Sequence, residues 1–539
     1  MAHVAVPQHS VAPTRVAATV FMRLCGLGML GLVFVTIINP RFATFDYSRG
    51  WALGVLVVLL GMVAAAHLPV VQDRMWRVRR ARWDRLALPV GVLCCLVAAV
   101  VGHTTYYFTT WDSKLIELIA QDSPRVTTYY HDYMSRYPNN LLYLGFARLA
   151  VGVSRNTDLS FGGVFLLFNI VAFAVTLVGL YLVVRRVRGA GAAVAAMVLL
   201  TAIVGINPAM AIAYTDIPGL WTPIWAVWFF LRARDAANWA TASGWAFGGA
   251  AILGFGYDLK TTPIVGVGAA AIWFIGVYLV RRRDPLRVVA CLAMLVIGTS
   301  AGAMLTQSVA ARLSPSLNLN PAIVTTPWQY VAAGVSIETD DGVVHYGGFS
   351  REVNSKTFNK PTAEQVEFSK NYIAERFEER GLSGMVAFEF DKASFTWGDG
   401  MLFAYGEGQD SKALPLVTGP GASVVTAWNS PSGSLWFQRI ALAQAVWWLL
   451  LLLMARQWLV GRVTSDQLLF LLNVLAIGLF VQVFQGRARY LTGHIPIFVA
   501  IAMTFWPVFT RSATGVPGGR RARRRAAEDD RMVAPTPAG

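Results

Sequence analysis

The chain has 539 residues, of which 55% are apolar and only 14% charged, and it carries a net charge of +16. Soluble domains hold roughly 25% charged residues, so a soluble globular protein is excluded and the long apolar runs indicate a multi-spanning membrane protein. The positive charge lies in short runs between apolar segments, at 74–85, 185–188, 281–287 and 511–525. Short Lys/Arg-rich loops stay in the cytoplasm, so this charge reports orientation and gives no reason to invoke nucleic acid.

Residues 1–18 read as a short cytoplasmic tail. The first apolar run, 20–38, is too long for a signal-peptide core and lacks a small-residue cleavage site, so it is expected to remain as the first span. The second span covers 51–70, and the basic loop DRMWRVRRARWDR follows it inside. The third span, 86–108, leads out into a long outer loop, 109–160, which opens WDSKLIELIAQDSPRVTTYYHDYMSRYPNN from residue 111. Within that loop 141–153 is apolar, but about 20 residues are needed to cross the hydrocarbon. It is expected to lie at the outer interface, which also keeps Arg185 inside.

Later spans are expected at 161–184, 191–212, 217–231, 242–257, 263–280 and 288–310. Residues 311–434 form the one sizeable hydrophilic block, an outer cap in which 362–380 reads as a helix capped by Thr362 and stopped by Gly381. Spans at 435–455, 465–483 and 491–509 complete a set of about twelve. Both termini then lie in the cytoplasm, and the basic tail 510–539 is able to meet anionic lipid headgroups. The fold class is all-α and polytopic: a membrane module over 19–310, the block 311–434, and the last spans over 435–509. Cys25, Cys94, Cys95 and Cys291 fall inside spans and read as small apolar filler.

This topology gathers the unusual polar residues at the outer ends of spans. Asp112 beside Trp111 is expected to be partly desolvated, which makes a carboxylate a better base. Asp216, in YTDIPG, is a second interfacial carboxylate, suited to sugar hydroxyls, to a metal, or to capping the helix that follows. Arg487 and Arg489, in QGRARY, stand on the side where short loops avoid arginine, and guanidinium groups hold phosphate oxygens in pairs. Lys260, in YDLKTTP, suits a leaving phosphate unless it merely pairs with Asp258. Asn139, Asn140, Tyr137 and Asp132 offer amide, hydroxyl and carboxylate groups to a hydroxyl-rich ligand, and Trp397 and Asp399 of WGDG offer a sugar platform and an acceptor contact. His131 lacks a nearby second histidine, so a divalent metal is not indicated and no cofactor is assigned.

The ordered set WDSKLIELIA, RYPNNLLYLGFARL, YTDIPGL, YDLKTTPIVGV, FTWGDG and RARYLTGHIPIFVAIA resembles the GT-C membrane glycosyltransferases, and within them the bacterial enzymes related to the protein-mannosyltransferase group. The resemblance spans 111 to about 502. It implies a polyprenyl-phosphate-linked sugar as donor and an envelope glycan, lipid or protein as acceptor, at the outer face of a bacterial plasma membrane. By it Asp112 is the base, Asp216 the second acidic position, and Arg489 and Lys260 the residues at the lipid phosphate. The chain departs from the pattern at Thr261-Thr262-Pro263 and in having a single Asp in WDS. The alternative reading is a multi-span transporter or lipid flippase, whose charges would sit nearer the midplane.

Overall fold

Apolar sequence becomes helix almost throughout this chain, because in hydrocarbon every backbone N–H and C=O must find its partner within the protein. The computed structural model describes residues 12–41, 48–71, 80–105, 111–122, 128–281, 284–313, 319–340, 343–402, 404, 421–429 and 433–504. Among these, seven helices are long and apolar enough to cross a bilayer: Val16–Ile38, Arg49–Ala66, Arg82–Thr104, Phe161–Val187, Pro285–Leu313, Trp436–Val460 and Ser465–Val483. They fall on expected spans one to four and nine to eleven. Shorter apolar helices, Ala190–Gly205 and Thr262–Tyr278, fall on spans five and eight. Helices Trp221–Asp235, Trp239–Leu259 and Ile495–Thr504 fall on six, seven and twelve. The protein is all-α and multi-pass.

Three expected boundaries move. Helix begins at Ala12, inside the expected tail, while the basic run 511–525 lies outside the described residues. Span five leaves regular helix at Thr201, passing through one wide turn, Thr201–Gly205, and then a tight one, Pro208–Ala211. Pro208 removes a helical donor there, and the Asn207 side chain accepts from the Ala209 amide instead. The next helix starts at Trp221, not at 217. Residues 201–220 therefore form an irregular passage between two helices, the kind of backbone tolerated at membrane depth only when buried in protein or lining a cavity.

Helix contact is closest between Trp239–Leu259 and Pro285–Leu313. A Cβ on Gly254 would run into the Thr299 carbonyl, and one on Gly302 into the Ala251 carbonyl. Lipid gives helices no hydrophobic drive to associate, so small residues that let backbones touch supply much of the packing.

The two ends of the bundle differ in chemistry. At one end, basic turns are tied by ion pairs: Arg185 to Asp84 at 2.8 Å, Arg186 to Asp235, and Arg234 to Asp466. At the other end sit the helices of the 109–160 loop and the 311–434 block. Trp111–Ala120, Thr128–Arg136 and Leu141–Asn156 are all helical. The last buries Tyr143, Leu144 and Ala147, and its Arg148 donates to the carbonyl of Leu313 at 3.4 Å, at the end of a span.

The hydrophilic block holds a two-stranded antiparallel hairpin, Ile337–Asp340 with Val343–Tyr346, besides its helices. It has a small core of its own that includes Val335, Tyr346, Tyr372, Phe388 and Phe395. Gly381 does stop the 362–380 helix: at φ 60° and ψ −177° it breaks the run, and a second helix continues to Trp397. Thr362 is not the cap. Pro361 holds that position, and the Thr362 hydroxyl donates instead to the Ala322 carbonyl at 3.0 Å.

A buried cation ties the block to the bundle. Lys392 is fully buried and donates to the carbonyls of Gly334, Gln482 and Phe484 at 2.6–2.9 Å. Burial pushes its amine down to about 8, and Glu389 opposes the shift. Beside it the Gly486 amide donates to the Gly347 carbonyl at 2.7 Å. The backbone entering the RARY segment is thus held against the hairpin.

Candidate active site

Asp112 opens the Trp111–Ala120 helix, where a carboxylate in the first turn is favoured by the helix dipole. Two tyrosines face it. The Tyr214 hydroxyl donates to its Oδ2 at 3.3 Å, and the buried Tyr133 phenol lies within reach of its charge. Burial first, and then the nearby Asp112 charge, hold the Tyr133 phenol well above its ordinary value. Tyr133 therefore stays a neutral phenol beside the carboxylate.

Asn140 is buried and donates from Nδ2 to the Tyr133 oxygen at 2.9 Å. The amide expected to meet a ligand is instead spent on the Tyr133 oxygen. Asn139 stands beside it, with its Nδ2 3.5 Å from the Asn140 Oδ1.

The passage 207–216 carries Tyr214 and Asp216, and it is pinned at several points. Asn169, fully buried in a span, donates to the Met210 and Ile212 carbonyls at 3.0 and 3.1 Å. Ser113 and Tyr143 both donate to the Ala213 carbonyl. The backbone beside Tyr214 is thereby fixed next to the helix that carries Asp112. Side chains held in this way are pre-organised, which reduces the cost of reorganising during a reaction.

Asp216 forms an ion pair with Lys260, both being about one-seventh exposed or less. This corrects two alternatives. Lys260 is not paired with Asp258, which accepts from Thr306 instead. Asp216 does not cap the following helix, whose N-cap is Leu220.

Arg489 lies on a short helical turn, Ala488–His494. Its guanidinium sits over the Tyr214 ring and over the Tyr490 ring, 5.3 Å from each centroid. Lys260 Nζ lies 5.0 Å from the same Tyr490 ring. Asp112, Tyr214, Arg489, Tyr490, Lys260 and Asp216 thus form one continuous chain of contacts, drawn from four separate parts of the sequence. Tyr214, Asp216 and Arg489 line one narrow crevice together with Leu402 and Ala404.

Other expected residues stand elsewhere. Arg487 packs toward the hairpin, its Nε 3.6 Å from where a Cβ on Gly348 would be. Asp132 accepts from Asn359 of the hydrophilic block at 3.3 Å. The Tyr137 ring lies 4.9 Å from that of Tyr133, and its hydroxyl donates to Asn354 at 3.5 Å. Trp397 is buried and stacked on Phe498, so it presents no platform to a sugar. Asp399 is also buried, and its Oδ1 accepts from the Met401 amide. WGDG is a close-packed turn. A Cβ on Gly400 would lie 2.7 Å from the Ala443 carbonyl, and the Met401 carbonyl accepts from Asn207. What the turn delivers to the crevice is Leu402, held in a left-handed conformation at φ 56°.

Sequence reasoning passed over Tyr133, Tyr214, Tyr330 and Tyr490. Tyr214 and Tyr490 each stand within two positions of a chosen charge, in AYTD and RARY. Tyr330 comes from the hydrophilic block. Burial and the neighbouring Tyr137, Tyr490 and Asp112 raise it well above its ordinary value, with Arg136 opposing. Among the described residues no group of three or more His, Cys, Asp or Glu side chains is placed to hold a metal ion.

The family model described as "Conserved hypothetical integral membrane protein" matches residues 19–509. The chain belongs to that family. The matched stretch runs from the first span through the RARY segment, so every residue of the constellation lies inside it. No curated protein matches the chain. Among solved structures it is similar to the archaeal oligosaccharyltransferase AglB of Archaeoglobus fulgidus in complex with an inhibitory peptide and a dolichol-phosphate. That match has 16% identity and a TM-score of 0.37, covering 78% of this chain and 50% of that one. The Archaeoglobus fulgidus oligosaccharyltransferase in the apo form gives the same identity and TM-score over 77% of this chain. The chain spans about half the length of the solved chains it matches.

Proposed function

We propose that this protein is a glycosyltransferase that moves a sugar from a polyprenyl-phosphate donor to an envelope acceptor, with inversion at the anomeric carbon. The observation that carries the reading is the single chain of contacts from Asp112 through Tyr214, Arg489 and Tyr490 to the Lys260–Asp216 pair. One end of it is a carboxylate that accepts from the Tyr214 hydroxyl. The other end is two cations backed by aromatic rings.

In this reading the acceptor oxygen attacks the anomeric carbon while Asp112 takes its proton. The bond from that carbon to the phosphate oxygen breaks, and the polyprenyl phosphate leaves as an anion. Arg489 and Lys260 stabilise the charge as it develops, which is where fixed cations lower a barrier most. A phosphate leaves readily without a proton, so one base and a cationic leaving-group site suffice. Base and leaving group stand on opposite faces of the sugar, as in inverting glycoside hydrolysis. Asp216 orients Lys260, and the 311–434 block covers the site and helps select the acceptor, whether glycan, lipid or protein.

The basic turns favour the cytoplasmic side, so the site would face outside, with both termini inside and the plasma membrane of a bacterium as the setting. The test is transfer by the purified protein in liposomes, using a panel of radiolabelled polyprenyl-phosphate sugars and cell-envelope extract as acceptor. Label passing from one donor to the extract supports the reading. No transfer and no donor binding, beside a control transferase that works, would sink it.

A further inference from the structure

The helix that follows Gly381 is built the wrong way round for a helix in water. Before the glycine, 362–380 carries eight charged residues; after it, 382–397 carries three. All three are turned toward the protein. Asp391 pairs with Arg41 at 3.0 Å, Lys392 is buried on its three carbonyls, and Glu389 accepts from Gln482 at 2.8 Å. The outward side is Leu382, Ser383, Val386, Ala387 and Phe390, with no charge among them. Leu382 is 86% exposed, Val386 50% and Phe390 61%. Their spacing of four residues places them on one stripe.

The position of this helix is set by the spans beneath it. Ser394 donates to the Asn39 carbonyl at 2.9 Å, just past the end of Val16–Ile38. Gln482 and Phe484, which meet Glu389 and Lys392, stand at the end of Ser465–Val483. The helix therefore lies across the ends of two spans, at the height where they leave the bilayer. Both spans present exposed apolar side chains at that same end: Phe34 and Ile38 on one, Leu479 and Val483 on the other. The uncharged stripe continues a surface that lipid already covers.

We propose that the 382–397 helix is an interfacial membrane anchor whose Val386 and Phe390 contact the acyl chains of the adjoining leaflet. A helix with apolar groups outward and charges inward is stable where hydrocarbon, not water, meets its outer face. Gly381 is the point where the charged helix in water gives way to the helix on the bilayer. This holds whichever reaction the crevice performs.

The test uses the full-length protein in liposomes containing tritiated phosphatidylcholine. A photoreactive benzoylphenylalanine (Bpa) replaces one residue at a time: Val386→Bpa and Phe390→Bpa as probes, Phe34→Bpa as lipid-facing reference, Glu375→Bpa and Glu378→Bpa as water-facing references. After irradiation the chain is delipidated and counted. The expected result is label at 386 and 390 near the level at 34, with 375 and 378 at background. Background label at 386 and 390 while 34 is labelled overturns the proposal. So does a chain-to-chain cross-link at 390, which would mean that a second copy covers the stripe.

Discussion

At the level of single residues, the charges of the site were legible and their aromatic neighbours were not. A carboxylate or guanidinium in apolar sequence is costly unless something holds it, so Asp112, Asp216, Lys260 and Arg489 stood out. Tyrosines at membrane interfaces are ordinary, so nothing marked Tyr214 or Tyr490. Yet Tyr490 lies between Lys260 and Arg489, and each cation–ring contact is worth about 0.5–2 kcal/mol. Tyr490→Leu is expected to weaken donor binding by roughly tenfold, or about 1.4 kcal/mol, while Tyr490→Phe keeps the ring and binds within about twofold. Donor titration of both variants checks this; equal loss in both would mean that the hydroxyl, not the ring, matters. Arg489→Lys keeps a charge but loses the planar fork. Transfer in that variant should fall by about tenfold or more, as expected when a charged hydrogen bond of roughly 1.5–3 kcal/mol is lost.

The elements were read well where hydrophobic length decides and poorly where packing does. The long spans follow from apolar run length alone. Whether WGDG offers its side chains to a ligand depends on which way the turn faces, and that is decided by the Ala443 carbonyl against Gly400, a contact no local pattern announces. Lys392 is similar: no local pattern marks it, and it holds two elements together. Lys392→Met leaves three buried carbonyls without a donor, at about 1–3 kcal/mol for each unsatisfied group, so the melting temperature in detergent should fall by several degrees. The sign of the pH effect also follows. The folded amine titrates near 8 and the unfolded one at its usual 10.5, so between those values the unfolded chain binds the extra proton. This lysine's contribution to stability therefore rises with pH across that window, and the rise is absent in Lys392→Met. Unfolding midpoints for both proteins between pH 7.5 and 10.5 measure the difference. At the helix contact, Gly302→Ala forces a Cβ against backbone at a cost of about 1–3 kcal/mol. Gly268→Ala meets nothing within 4 Å and should melt like wild type.

Across the whole molecule, the alternation of apolar spans and basic turns made the polytopic class plain. What it left open was which side chains of the 124-residue hydrophilic block turn toward the bundle. Tyr330 and Lys392 do so because the block is seated on span ends, a long-range arrangement with no local signature. In the proposed orientation, a cysteine at Glu378 should react with an impermeant maleimide in intact cells, and one at Arg462 only after lysis; the reverse pattern would turn the site to the cytoplasm. Comparing wild type with Asp112→Asn in liposomes, with donor binding and transfer measured separately, decides whether Asp112 is the base of a sugar transfer. The variant should bind donor as wild type does and transfer about 10²–10⁴-fold more slowly, the usual worth of a positioned base. Transfer at the wild-type rate by Asp112→Asn would remove Asp112 from the role of base.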